Sequence, residues 1–228
     1  MTFHRDDPNT WPCFNPLIIA HDVGRSRDRS TAVIGGNGPF QPRLLGIREL
    51  HELPQRLFGS ARASALAKID RYYNSNALIV ADLSNDRTYA EVLFEMFGAR
   101  VIGVQISRYG DGMTFERLPV KHSAMSIYTV GRTYLIELLH TEMQNDQVRF
   151  VDGPMSKRAY EQLMGLETEM RESGTVYSCP SGHDDLRISC AMLAWAARHP
   201  HLREWVRISE QSRRTRKPRP TVSWAAFT

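Results

Sequence analysis

The sequence is short of cysteine, has no long apolar run and contains no internal repeat. Three cysteines (Cys13, Cys179 and Cys190) in 228 residues cannot build a disulfide framework, which fits a reducing compartment. No stretch approaches the roughly 20 apolar residues that a membrane span needs; the longest apolar blocks are strand-length, such as Leu17-Ile18-Ile19-Ala20. The opening Met1-Thr2-Phe3-His4-Arg5-Asp6-Asp7 has no apolar region of the kind a secretory signal carries. Together these absences predict a soluble, cytoplasmic protein with no membrane partner. There is also no Gly-x-x-x-x-Gly-Lys-Ser/Thr phosphate loop, so the chain itself is not expected to run a P-loop motor.

What is present is ordinary globular composition, 42% apolar and 24% charged, which excludes wholesale disorder and allows one substantial domain. The net charge of +4 is unevenly spread. Residues 203–219 hold seven basic and two acidic side chains, leaving 22 basic and 23 acidic residues elsewhere. The body is nearly neutral and the end of the chain is basic. Arg213, Arg214, Arg216, Lys217 and Arg219 form a candidate phosphate-binding arm; a solvated tail is the plainer alternative.

Periodicity and punctuation divide the chain into a proline-punctuated lead-in (1–16), a main domain (17–200) and a basic C-terminal tail (201–228). Leu17–Val23, Thr31–Gly35 and Arg43–Leu50 read as three strands of an antiparallel meander, with a turn at Gly36-Asn37-Gly38-Pro39. Ala77–Leu83 and Arg100–Ile106 read as buried strands, separated by helix Thr88–Phe97 and preceded by helix Ser64–Tyr73. The change from strands alone to alternating helices and strands predicts a mixed sheet covered by helices. A polar loop is expected over Ser107–Ser123, then helix Tyr128–Met143, a short strand Val148–Val151, helix Lys157–Glu172 and the apolar helix Asp184–Arg198. Everything past Pro200 reads as appendage.

Candidate chemistry sits where acidic residues end apolar elements. Asp22 closes the first strand on the face of Ile18 and Ala20; Asp82 closes the fourth on the face of Leu78 and Val80. If these strands are parallel neighbours, about 4.8 Å apart, both carboxylates emerge at one edge and can share a divalent ion. Asp184 and Asp185 open the last apolar helix, after Gly182-His183. Singly, each of these aspartates also suits a turn or a helix cap. Hard oxygen donors favour Mg²⁺ or Mn²⁺ over Zn²⁺. Carboxylates around two such ions suit phosphodiester hydrolysis. The loop after Asp22 adds Arg25, Arg27 and Arg29 beside that position. Cys179, His183 and Cys190 lack a paired Cys-x-x-Cys unit and make a poor zinc site, and Cys190 reads as a small core residue.

These residues carry a resemblance. His21-Asp22-Val23-Gly24 with Ser30-Thr31-Ala32-Val33 resembles the Asp-x-Gly strand, polar loop and Thr-led second strand of the nuclease domain of phage terminase large subunits. Ala77–Asp82, followed by a helix and the strand Arg100–Val104, resembles that family's second acidic site. Gly182-His183-Asp184-Asp185-Leu186 resembles its closing Gly-x-Asp-Asp-Leu motif. Order and spacing agree over roughly residues 17–198.

The resemblance implies an α/β, ribonuclease H-like fold: a five-stranded mixed sheet, three antiparallel strands and then two parallel ones, flanked by helices. It implies metal-dependent endonucleolytic cutting of double-stranded DNA during genome packaging, in a bacterial host cell. Asp22 and Asp82 would bind metal, Asp184 or Asp185 would complete the site, and His183 would be an accessory residue orienting water or a phosphate. Implied partners are duplex DNA and a packaging ATPase, a small terminase subunit or a portal protein. Two departures stand out: the phosphate loop of a full large subunit is missing, and Leu83-Ser84-Asn85-Asp86-Arg87 lacks the glycine that the family tends to place there. A Holliday-junction resolvase-like nuclease and a non-catalytic DNA-binding module of the same fold are the alternatives.

Overall fold

The five strands of the expected sheet form, but the sheet has eight strands, one of them the short strand expected at Val148–Val151. In the computed structural model, which describes residues 7–24, 29–55, 57–84, 86, 88–107, 113–120, 123–165, 167–171, 174–178 and 185–215, the five are β1 (Leu17–Asp22), β2 (Thr31–Asn37), β3 (Leu45–Glu52), β4 (Leu78–Asp82) and β5 (Val101–Ser107). β1, β2 and β3 make the antiparallel meander, β4 pairs parallel with β1, and β5 pairs parallel with β4. Ile18, Ile19, Ala20, Ile79 and Val80 are fully buried, as expected of central strands covered on both faces. Each such Ile or Val contributes about 1.5–3 kcal/mol by leaving water.

Three further strands extend this core. β6 (Met113–Val120) and β7 (Ser123–Gly131) form a hairpin whose second strand runs parallel to β5, and β8 (Val148–Phe150) runs parallel to β3. The eight-stranded order is β6-β7-β5-β4-β1-β2-β3-β8, and β9 (Glu167–Arg171) and β10 (Gly174–Ser178) form a separate hairpin. Helices α1 (Gly59–Tyr72) and α2 (Thr88–Phe97) cover one face. Helices α3 (Arg132–Gln144), α4 (Pro154–Met164), α5 (Asp185–Arg198) and α6 (Leu202–Thr215) cover the other. Among the described residues no helix is long and apolar enough to cross a membrane.

Several boundaries differ from those expected, each for a physical reason. Much of the segment read as a polar loop over Ser107–Ser123 is β6, whose side chains are largely exposed because it is an edge strand. Polarity there reports solvent, not irregular backbone. Tyr128 lies in β7, and α3 starts four residues later at Arg132. The helix expected to reach Glu172 ends at Met164, and Glu167–Arg171 is strand β9. β2 continues past Gly35 through Gly36 and Asn37, where a turn was expected, and position 35 requires glycine because a Cβ there would lie 2.0 Å from the Gly46 carbonyl oxygen of the neighbouring strand. In the described part of the lead-in, residues 7–16, Pro8–Thr10 form a 3-10 turn, Trp11 and Phe14 are buried, and Arg48 donates to the carbonyls of Pro8 and Trp11.

The segment past Pro200 is not a bare appendage. α6 buries Trp205, which stacks on His199 with ring centroids 4.4 Å apart, and Trp205 Nε1–H donates to Tyr128 Oη at 3.3 Å. α6 also packs against the 3-10 turn Gly98–Arg100 at the entry of β5.

Six strands (β1, β3, β4, β5, β7 and β8) point the same way, and only β2 and β6 oppose them. Helices α2, α3 and α4 each begin where one of these six strands ends. In open sheets of this kind, ligands gather at that exit edge.

Candidate active site at the strand-exit edge

The strands that end in Asp22 and Asp82 are parallel neighbours, so both residues lie at the same exit edge. The β1–β4 register runs Ile18 with Leu78, Ile19 with Ile79, Ala20 with Val80 and His21 with Ala81. Asp22 and Asp82 each follow the last pair of that register, and two-residue alternation puts them on the face that Ala20 and Val80 bury. Asp82 is buried, and its Oδ1 accepts from the Ser84 amide at 2.8 Å and from the Ser84 hydroxyl. That hydroxyl in turn accepts from the Ile106 amide at 2.6 Å. Ser84 thus ties the Asp82 carboxylate to the adjacent strand.

Helix α5 brings the third position to the same edge. Thr31, the β2 partner of Asp22, donates its hydroxyl to the Asp185 carbonyl at 3.1 Å. The Ser189 hydroxyl lies 2.6 Å from the Thr31 hydroxyl, and, with the Thr31 proton already given to the carbonyl, it is the donor. At its far end α5 is tied to β2 again: Asn37 Nδ2 donates to the Ala197 carbonyl at 3.2 Å, and Arg198 Nη1 donates to Asn37 Oδ1 at 2.7 Å. The helix therefore lies along β2 with Asp185 at its first turn, over Thr31. Its middle is apolar and dry, and burial pushes the Cys190 thiol up to about 12.

His21, beside Asp22 in sequence, faces the opposite side of the sheet. Burial pushes its pKa down to about 4, so the ring is neutral. Nδ1–H donates to the Thr31 carbonyl at 2.8 Å, which leaves Nε2 to accept from Tyr89 Oη at 3.4 Å. His21 locks the β1–β2 pairing from behind while Asp22 looks forward.

Among the other expected site residues, Asp184, His183, Arg25, Arg27, Arg216, Lys217 and Arg219 lie outside the described residues. Arg213 and Arg214 fall in the last turn of α6. Among the described residues no three His, Cys, Asp or Glu side chains gather closely enough to hold a metal. Arg29 is described, and its Nη1 donates to Glu52 Oε2 at 2.7 Å. Glu52 pairs with Thr31, and Thr31 with Asp22, so Glu52 stands in the same cross-strand row and on the same face. Arg158 of α4 pairs with its other oxygen. Sequence reasoning missed Glu52 because the third strand was ended at Leu50; two more residues of alternation reach it. Arg158 has no local signal, since α4 follows β8 and only the β3–β8 pairing carries it to this edge.

The open, mostly parallel sheet with a lead meander, its order β3-β2-β1-β4-β5 at the centre and acidic residues at the exit edge define a ribonuclease H-like domain. Comparison with solved structures finds the same fold in terminase nucleases. The chain is similar to the large terminase nuclease from thermophilic phage G20c, with TM-score 0.54 and 20% identity over 80% of this chain and 84% of that one. It is similar to the human cytomegalovirus terminase nuclease domain, with TM-score 0.54 and 12% identity over 86% of this chain and 91% of that one. The large terminase nuclease domain of bacteriophage SPP1, solved with bound Mn, aligns with TM-score 0.48 and 14% identity over 80% of this chain and 86% of that one. No protein-family model and no curated protein sequence matches the chain.

Proposed function

We propose that the chain is a metal-dependent endonuclease that cleaves double-stranded DNA by two-metal phosphodiester hydrolysis, in the manner of a terminase large-subunit nuclease. The observation that carries this reading is the parallel pairing of β1 with β4, which sets Asp22 beside Asp82 at the exit edge, with the first turn of α5 tied to the same row. The donor set fits a hard divalent cation: two carboxylates one strand apart, one of them aimed by an amide and a hydroxyl. Asp22, Asp82 and Asp185, with Asp184 as its alternate, would hold Mg²⁺ or Mn²⁺. When bound, the ions supply the activated water and the charge that stabilises the leaving oxygen. The protein's own part is to fix the carboxylates. Ser84 orients Asp82, and Thr31 and Ser189 set the height of α5.

Duplex DNA is the proposed substrate, with Arg25, Arg27 and Arg29, which follow Asp22 in sequence, as one phosphate contact and the basic residues Arg213–Arg219 as a second. A packaging ATPase, small subunit or portal protein is the proposed partner set, and bacterial cytoplasm the proposed compartment. Residues 17–200 are the proposed catalytic unit. The test is a plasmid gel: supercoiled DNA should be nicked and linearised with Mn²⁺ or Mg²⁺, and a chelator should stop it. Absence of cutting by folded protein would leave a DNA-binding module. Preference for four-way over linear duplex would favour the resolvase-like enzyme.

A further inference from the structure

Two arginines share one carboxylate at the exit edge, and their placement has a use. Glu52 ends β3 with a side chain only 13% exposed, whereas the Arg29 and Arg158 side chains are 54% and 45% exposed. An exposed ion pair contributes little to stability. A second cation on the same carboxylate leaves a net positive charge and adds like-charge repulsion between the guanidiniums. Such a group is electrostatically incomplete without an anion. Each guanidinium has five N–H donors and spends one on Glu52, at 2.7 Å for Arg29, so each keeps a fork for phosphate oxygens. The two arginines come from different elements, the loop before β2 and helix α4, and only Glu52 links them.

The location selects the ligand. Glu52, Thr31 and Asp22 form one cross-strand row, so Glu52 stands two strand spacings, about 10 Å, from Asp22. That length is about three steps of duplex rise at 3.4 Å each. A backbone whose reacting phosphate sits at Asp22 and Asp82 therefore has further phosphates within reach of this pair.

We propose that Arg29 and Arg158, held by Glu52, form a phosphate clamp that grips the DNA backbone beside the carboxylates. Glu52 is a positioning residue in this arrangement. The proposal deepens the nuclease reading and rests on it for the identity of the anion.

The test is duplex binding without catalysis. Anisotropy of a labelled duplex is measured in chelator across a salt series, for wild type, Arg158→Ala, Arg158→Lys and the double variant Arg29→Ala/Arg158→Ala. Each phosphate contact contributes about 0.9 to the slope of log affinity against log salt. Arg158→Ala should flatten the slope by about 0.9 and weaken binding roughly tenfold at low salt. The double variant should flatten it by about 1.8, and Arg158→Lys should keep the wild-type slope. An unchanged slope in a folded Arg158→Ala protein overturns the clamp, as does a wild type that binds no duplex. The plasmid gel separates the two readings. Cutting with an unmoved slope sinks the clamp alone, while a flattened slope without any cutting sinks the nuclease and leaves the clamp.

Discussion

Two buried aspartates flank β4, one at each end, and they are used in opposite ways. Asp70, at the entry end, takes two guanidinium bonds from Arg100, 2.9 and 2.7 Å, and the Ala77 amide at 3.2 Å. Arg100 also donates to the Ala77 carbonyl at 2.9 Å. This forked ion pair ties α1 to the starts of β4 and β5. Asp82, at the exit end, accepts from the amide and hydroxyl of Ser84 two residues on. A forked arginine neutralises a carboxylate and occupies both its oxygens, which suits a structural tie. A local amide and hydroxyl are neutral donors that aim a carboxylate, which on the proposed reading suits a metal ligand. The entry end also carries α6 with Trp205, whereas helices begin at the exit end. The difference teaches that burial alone does not mark function; the chemistry of the partner does.

The largest expected effect is at the exit end. Asp82→Asn and Asp22→Asn should each lower metal-dependent plasmid cutting by more than about a thousandfold, the rate equivalent of roughly 4 kcal/mol. Circular dichroism should show the fold retained. Wild-type cutting by either variant would remove that residue from the site.

At the entry end the loss should fall on stability instead. Asp70→Ala strands a buried guanidinium and should lower unfolding free energy by about 3–5 kcal/mol in a urea titration. The fraction still folded should cut DNA at the normal rate. If Asp70→Ala were as stable as wild type, the two aspartates would not differ as argued.

Acid should expose a smaller contribution. Burial holds His21 and His199 at about 4, below the ordinary 6.5 of an unfolded chain. Above 6.5 both states are neutral and stability is complete. As pH falls from 6.5 toward 4 the unfolded chain takes protons that the fold refuses, so stability drops by at most about 1.4 kcal/mol per pH unit for each histidine. His199→Asn keeps an acceptor for the His201 amide and should make the melting temperature less acid-sensitive across that window.

The smallest effect concerns the basic end of the chain. Since α6 reaches Thr215, removing only residues 216–228 spares the helix and deletes Arg216, Lys217 and Arg219. Duplex affinity should fall and its salt slope should flatten by about 1 to 2, with sequence preference unchanged, because phosphate contacts carry no base information. Unaltered affinity and slope would make this end a solvated tail.

The central sheet was legible because its strands are buried on both faces and read as apolar runs, with Asp22 and Asp82 breaking those runs at their ends. β6 was not legible, since an edge strand with exposed Phe115 and a charged Glu116 looks like loop. Glu52 and Arg158 were hidden for another reason. Their meeting depends on a cross-strand register and on a parallel crossover to β8, and neither leaves a local pattern. α6 was misread because Arg203, Arg207 and the basic cluster outweigh its few apolar residues, although Trp205 supplies its anchor.

The tie between Thr31 and Asp185 joins positions 154 residues apart, and this has a consequence for when activity begins. At roughly 5–20 residues per second, a ribosome finishes Asp185 about 8 to 30 s after Thr31. During that interval the nascent chain carries Asp22 and Asp82 but no α5 to seat beside them, and the apolar face that α5 covers lies bare. On the proposed reading a half-made chain is harmless to the DNA around it, because the helix that arms the site, α5, is made late, with only α6 after it among the described helices.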